Sequence, residues 1–354
     1  MLGVTNRMLG IQRPETRLGG TCDLCGATES YFCAKETPQR LRTFVCSKCG
    51  LIYAAPQPSP VELDELNLQN SGDRGSLVWS PFGVLDERYA REQEADVSWA
   101  SKIIERFICV NGKQVLSLRC LSGGLPAELR GKGAEVFGVD SFHANIRYAR
   151  EVRGLSNTVV VSMSRLHELN LPWNCQFDAI EGLTIHILAH VMYPRLLLSR
   201  IFDLLKPGGY LFLDEKDVLL PAQSGNHFVL DSGQAHQFQL TQYTTASYLR
   251  GVGFDLIECE IDSERASGFR HIRVVARKPD FPNAETLMLP LWARPRGKDI
   301  LWHLKKLEWS VWLKTRGRFI KIRGRQFRKS IPGILKHIPG LEQTWRRARQ
   351  TLRH

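Results

Sequence analysis

Four of the nine cysteines in this 354-residue chain are spaced for a metal: Cys22-x2-Cys25 and Cys46-x2-Cys49, with twenty residues between the pairs. Each knuckle is followed by glycine (Gly26, Gly50), which permits the sharp turn that aims backbone N–H groups at the sulfurs. Together they put four thiolates within reach of one tetrahedral zinc ion. An all-sulfur set leaves no position open for water, so the spacing predicts a structural zinc rather than a catalytic one. The other reading, four reduced cysteines in a small sheet, leaves the duplicated spacing to chance. Cys33 has no partner at ligand spacing, and Cys33, Cys109, Cys120, Cys175 and Cys259 read as buried thiols.

A second group of residues suits a ligand site. Ser122-Gly123-Gly124 follows the apolar run Gln114–Leu118, and glycine there frees the backbone to take positive φ. Leu125–Arg130 suits a helix, Gly131-Lys132-Gly133 stops it, and Glu135–Val139 reads as a second buried strand closed by Asp140. In a parallel sheet such a turn lets the chain pass close to a nucleotide-like ligand, and an acid ending the next strand can accept from a ribose diol. Further on, His186 and His190 stand four apart, on one face if the segment is helical. They are candidates for a general base or, alternatively, helix histidines with local partners. A zinc pair is disfavoured, because no Glu or third ligand sits at metal spacing with them. Glu181, ending a strand, is a substrate contact or a solvated end, and His227 and His236 fall in a later loop.

The elements that must position these groups can be read in order. Ala54–Pro60 is a stiff connector, and Ser59-Pro60-Val61-Glu62 is a capping box opening a helix through Leu68. Residues 69–84 read as loop, and Asp86–Ile108 as an amphipathic helix with Tyr89, Val97, Ala100, Ile104 and Phe107 on one face. After Asp140 come a helix through Arg150, strands over Thr158–Val161 and Phe177–Ile180, and a long apolar helix or helix pair over 184–205, broken near Tyr193-Pro194. Lys206-Pro207-Gly208-Gly209 is a helix stop and turn before the strand Tyr210–Asp214. Thr244–Gly251 is helical, and Phe254–Ile261 with Ile272–Ala276 leaves no room for a crossover, so they form an antiparallel pair. This alternation defines an α/β protein with a parallel sheet.

The order of pieces resembles the class I S-adenosylmethionine-dependent methyltransferases, in the subgroup preceded by a zinc ribbon. The matching stretches are CDLCG…CSKCGLIYAAPQPSP, VLSLRCLSGG, AEVFGVD, FDAIEG…HILAHV, LLKPGGYLFLDE and YTTASYLRGVGFDLIECE, over residues 20–278. The resemblance implies a Rossmann-like seven-stranded sheet, S-adenosylmethionine at the carboxyl ends of the first strands, and methyl transfer to a nucleophilic O, N or C. Carried over position by position, it places the cofactor against Ser117, Cys120, Ser122, Gly123, Asp140 and Met163, and makes His186 and His190 the catalytic candidates. The family's first motif usually reads V-L-D-x-G-C-G-x-G; here Ser117 stands for the acid, and Arg119 and Leu121 for two glycines. Met163 stands where an acid usually closes the third strand, and Leu188-Ala189-His190 where Leu-Glu-His is usual. Two outcomes follow. Either Arg119 and Leu121 fold away and an enzyme acts on a sugar, glycan or cell-envelope precursor, or a binding scaffold has kept the fold without the chemistry. The enzyme is the reading adopted. The domains are then an arm (1–20), a zinc ribbon (21–58), linker and N-terminal helices (59–112), a methyltransferase domain (113–280) and an extension (281–354).

Charge separates the extension from the rest. Residues 294–354 hold 18 Lys+Arg against Asp299, Glu308 and Glu342, while the other 293 residues hold 30 against 33 acids. The tail is a polycation on a near-neutral body, and the stretch from Leu291 holds five of eight tryptophans (Trp292, Trp302, Trp309, Trp312, Trp345). Ile300, Leu304, Leu307 and Val311 recur at helical spacing. Such a segment suits an anionic membrane surface or a polyanionic glycan through residues 291–354, or packs as a helical extension with a solvated basic face. No recognition motif supports nucleic acid. No run of 18 apolar residues and no secretory h-region is present, so the expected place is the cytoplasm, with a peripheral position at the inner membrane face.

Overall fold

The structure, a computed structural model, describes residues 20–34, 42–72, 96–183, 186–219, 236–262, 271–280, 297–302 and 304. The arm before Gly20, Asp86 to Ala95 of the expected amphipathic helix, His227 and the tail from Lys305 lie outside the described residues. Apolar runs between turns form β1 (Ser30–Ala34), β2 (Arg42–Cys46), β3 (Ile52–Ala55), β4 (Gln114–Leu118), β5 (Glu135–Asp140), β6 (Thr158–Val160), β7 (Phe177–Gly182), β8 (Leu205–Lys216), β9 (Phe238–Gln239), β10 (Asp255–Asp262) and β11 (His271–Arg277).

Seven of these make one sheet in the order β10-β11-β8-β7-β4-β5-β6, the seven strands expected. The strands from β6 to β8 run parallel, and β11 is antiparallel to both β8 and β10. Side chains alternate between two cores, one on each face: Leu116, Phe137 and Ile180 enter one, Val115, Val136 and Ala179 the other. Helices Val97–Glu105, Gly124–Gly131, His143–Glu151, Pro194–Leu204 and Gln242–Val252 supply the covering layers. β4 has β5 on one side and β7 on the other, so strand order reverses there. A crevice opens at such a switch point, outside the carboxyl ends of the strands.

The remaining strands form the sheet β1-β2-β3-β9, which joins the ribbon to the chain that follows β8. Ile52 pairs with Gln239 and Tyr53 with Phe238, and Ala54 N donates to Gln237 O at 2.9 Å. Asp23, inside the first knuckle, accepts from Tyr248 Oη at 3.0 Å and from Arg195 N at 3.1 Å. Ile300 and Leu304, the start of the extension's apolar face, are buried against Cys33, Val45, Ile52 and Val218. Gly297 makes that approach possible, since a Cβ there would lie 2.1 Å from Cys46 O.

Most expected elements form within a residue or two of their predicted ends. The capping box at Ser59 does too, with Ser59 N donating to Glu62 Oε2 at 2.7 Å. Two expectations are corrected. Residues 184–205 do break at Tyr193-Pro194, and helix follows from Pro194, but the part before the break is not helical: residues 188–190 are a turn. The cause is Glu215, whose carboxylate takes the Leu188 N–H at 2.9 Å and so removes it from a helical ladder. His186 and His190 therefore do not ride a helix face. Lys206–Gly209 follows the helix end at Leu204 as expected, with Gly208 at φ of 75°, and it already belongs to β8, with Gly208 N donating to Lys278 O and Lys278 N to Gly209 O. Cys109 is exposed rather than buried, because it follows the helix end at Glu105 on the surface.

Gly123 begins the helix after β4 with φ of 82°, and a Cβ there would meet Leu155 Cδ1 at 2.6 Å and Ala149 Cβ at 3.1 Å. Gly131, in the same helix, has open space around it. Gly123→Ala should therefore lower unfolding free energy by about 1–3 kcal/mol. Gly131→Ala should leave it unchanged or raise it by up to about 1 kcal/mol. Urea titrations check both, and equal effects would contradict the strain argument.

Candidate functional site: a sulfur-lined metal centre and a switch-point crevice

The two knuckles converge. Cys22 Sγ lies 3.6 Å from Cys49 Sγ, and Cys25 Sγ lies 3.5 Å from Cys46 Sγ. A tetrahedron with zinc–sulfur bonds of about 2.3 Å has an edge of roughly 3.8 Å, close to what the thiols already hold. Both loops are built alike: Gly26 N donates to Cys22 O and Gly50 N to Cys46 O, with φ of 70° and 74° at the glycines. Hydrogen bonding among the crowded sulfurs holds Cys25 down at about 7 and Cys46 lower still, and raises Cys22 and Cys49. A shared cation answers that crowding. Donor set and spacing fit structural zinc on Cys22, Cys25, Cys46 and Cys49.

The turn after β4 keeps its shape with the wrong residues. Arg119 and Leu121, standing for glycines, sit at φ of 52° and 53°, a left-handed conformation that costs an ordinary residue about 1–2 kcal/mol. Cys120 N donates to Val139 O and Gly123 N to Cys120 O, both at 2.8 Å. The Arg119 side chain is buried and folds over the Phe142 ring, 5.8 Å from its centroid. Ser122 and Cys120 are buried as well, and burial pushes the Cys120 thiol well up.

Asp140 is the clamp on this turn. At 1% exposure it accepts from Leu121 N at 3.0 Å through Oδ2, and from Phe142 N and Asn145 Nδ2 at 2.9 and 3.0 Å through Oδ1. A ribose contact there would use the lone pairs these bonds leave. Met163 is buried in the core at the turn after β6. That turn is held by a residue the sequence reading missed: Asp64, on the helix Pro60–Gly72, accepts from Ser164 N at 3.0 Å and from the hydroxyls of Ser162 and Ser164.

Ser117 cannot supply the usual charge, but Glu181, its register partner on β7, can. Ser117 Oγ donates to Glu181 Oε1, and Leu183 N donates to Oε2 at 3.0 Å. Glu181 is 1% exposed, so it is not the solvated strand end considered above. Burial raises it to about 7 against the opposing hydrogen bonds. A desolvated acid poised near neutrality is stabilised in its charged form by a cationic ligand group. These residues fit a nucleoside with a positive centre.

His186, His190 and His236 come together at the carboxyl end of β7. Ring centroids lie 5.2 Å apart for 186–190, 5.0 Å for 186–236 and 4.5 Å for 190–236. His186 Nε2 is 3.1 Å from His236 Nε2. Spacing along the chain could not show this third histidine, because β9 pairing on the ribbon delivers it.

Sheet order, crevice and buried acids define a doubly wound α/β protein for a nucleotide-like ligand. Residues 89–259, just under half of the chain, match the family described as a methyltransferase domain, in keeping with the class I S-adenosylmethionine-dependent methyltransferases that the sequence resembles. It is similar to the ubiquinone biosynthesis O-methyltransferase of Coxiella burnetii strain Dugway 5J108-111, 28% identical over 166 residues, 44% of this chain and 63% of that protein. The protein of the same name from Nitrosococcus oceani is 35% identical over 106 residues, 28% of this chain and 42% of that protein. The chain thus spans less than two thirds of the length of these curated relatives. Among solved structures, a 1,6-didemethyltoxoflavin-N1-methyltransferase of Burkholderia thailandensis with bound 1,6-didemethyltoxoflavin and S-adenosylhomocysteine is 21% identical. It covers 65% of this chain and 96% of its own, with a TM-score of 0.47.

Glu181 yields a pH prediction. With its folded value near 7 against an ordinary 4.5, its contribution to stability is full below about pH 4.5 and lost as pH rises through 7. Glu181→Gln cannot ionise, so its stability relative to the parent should grow between pH 5 and 8, approaching about 3 kcal/mol as an upper bound. Denaturant unfolding across that range measures it; parallel profiles would refute the buried acid.

Proposed function

We propose that this protein transfers the methyl group of S-adenosylmethionine to a hydroxyl oxygen on a sugar, glycan or cell-envelope precursor. The observation that carries the reading is the turn after β4. Arg119 and Leu121 adopt the backbone path that glycines usually take, and Arg119 folds back over Phe142. Oxygen as the acceptor atom is supported by the name of the relatives, O-methyltransferases. The carbohydrate class is what the resemblance to the zinc-ribbon subgroup implies, since proteins of that subgroup often act on sugars or cell-envelope precursors.

When bound, the cofactor supplies a methyl carbon made electrophilic by its sulfonium, and transfer is a direct displacement. This chain's residues do the positioning. Asp140 holds the turn against β5, and Glu181, paired with Ser117, sets a negative charge at the β4–β7 switch point. The turn bearing His186 and His190 leaves the carboxyl end of β7, where an acceptor in the crevice would meet imidazole nitrogen able to take its hydroxyl proton.

We also propose that the basic segment from Lys305 engages an anionic membrane surface or polyanionic glycan, which would hold the enzyme at the inner face of the membrane. Among the described residues no helix is long and apolar enough to cross one. Ile300 and Leu304 are committed to the ribbon, so removal of 305–354 is the clean truncation. Liposome flotation should show the full chain on anionic vesicles and the truncated chain in solution; equal partitioning would refute the proposal.

For the cofactor, calorimetry should show S-adenosylmethionine and S-adenosylhomocysteine binding, with Asp140→Ala weakening both by about tenfold or more through loss of charge-assisted hydrogen bonds. Absence of binding at millimolar cofactor would defeat the enzyme reading in favour of a scaffold.

A further inference from the structure

We propose that His186, His190 and His236 form a second metal site, for a zinc-type divalent ion, with one coordination position left open. Each residue offers one ligand nitrogen, and the three nitrogens lie within 4.8 Å of one another. His186 Nε2 and His236 Nε2, at 3.1 Å, nearly match the roughly 3.3–3.4 Å edge of a tetrahedron with metal–nitrogen bonds of 2.0–2.1 Å. Without a metal, two imidazole Nε2 atoms at that distance share a single proton, and a third ring crowds the same space. Protonating the set would concentrate like charge in a half-buried position. A cation bound by three lone pairs satisfies all three rings at once.

The backbone holds the three histidines from independent directions. Glu215, at the end of β8, fixes the 186–190 turn through Leu188 N, and His190 N donates to Ile187 O at 3.1 Å. The segment bearing His236 is anchored to the same turn, with Gln237 N and Phe238 N donating to Ala189 O at 2.7 and 3.3 Å. On its other side it is anchored to the ribbon by β9. The chain therefore brings its two candidate metal centres into one connected structure, one closed by four sulfurs and one with three nitrogens. Three-nitrogen sites are the open kind, and imidazole favours late first-row ions over magnesium or calcium.

The three histidines lie beyond the carboxyl end of β7, on the side of the crevice. What occupies the open position rests on the methyl-transfer reading: the acceptor's hydroxyl oxygen, whose proton a bound cation makes easier to lose to solvent. On this view the imidazoles serve as metal ligands in place of the proton acceptor of the proposed function, and the metal supplies the activation.

Cobalt(II) added to the full-length, metal-stripped protein tests the site. Two equivalents should bind. One should show the sulfur-to-cobalt charge-transfer band of the cysteine centre, and the other only ligand-field bands of a nitrogen site. His190→Asn and His236→Asn should each abolish the second equivalent and keep the first, whose band reports that the ribbon and β9 remain folded. If His236→Asn also loses that band, His186→Asn, which lies outside the ribbon sheet, decides. Saturation at one equivalent in the unmodified chain, or a second equivalent that survives the histidine substitutions, would overturn the proposal. Cofactor calorimetry on the same samples separates the two readings: cobalt at the histidines without cofactor binding would remove methyl transfer and leave the metal site.

Discussion

Four sulfurs gathered around one point are the constraint on which much of this structure depends. They hold the knuckles, the knuckles hold β1, β2 and β3, and β3 accepts β9 from the segment that follows the large sheet. Because Asp23 also ties the first knuckle to Tyr248 and Arg195, the ribbon braces two helices of the α/β layer. The extension is drawn in as well, through Gly297, Ile300 and Leu304. Loss of the metal would therefore reach the crevice, because His236 sits two residues before β9, which closes the ribbon sheet.

The carboxyl edge of the large sheet is built from acids that have lost their water. Asp140, Glu181, Asp214 and Glu215 are all buried there. Burying a carboxylate is costly unless hydrogen bonds replace hydration. Asp140 takes Leu121 N beyond β4 and Phe142 N beyond β5, Glu181 takes Leu183 N beyond β7, and Glu215 takes Leu188 N from the segment beyond the neighbouring β7. Asp214 instead meets His271 Nδ1 at 2.8 Å. Burial still raises Glu181 to about 7 and Glu215 well above its ordinary range. These acids shape the loops over the crevice at some cost in stability, which is common where a fold carries function.

Much of the fold was legible in the sequence because its signals are local. Val115–Leu118 and Val136–Val139 are apolar on both faces, as a central parallel strand requires, and glycine punctuates the turns. Cys-x2-Cys followed by glycine is a local signal too, since the spacing itself shapes the loop. The helix expected before Tyr193 does not form for a nonlocal reason: its apolar residues are consistent with helix, but Glu215, far along the chain, takes the Leu188 N–H.

The sequence by itself determined the zinc knuckles, the alternation of strands and helices, and the loss of an acid and two glycines from the first motif, because each depends on residues adjacent in the chain. Only the tertiary structure decided how those losses are met. Register places Glu181 beside Ser117, and the clamp by Asp140 keeps Arg119 and Leu121 on a glycine-like path. The third histidine is of the same kind. His236 is an ordinary loop residue until β9 joins the ribbon, and that pairing across the fold turns two histidines into a set of three.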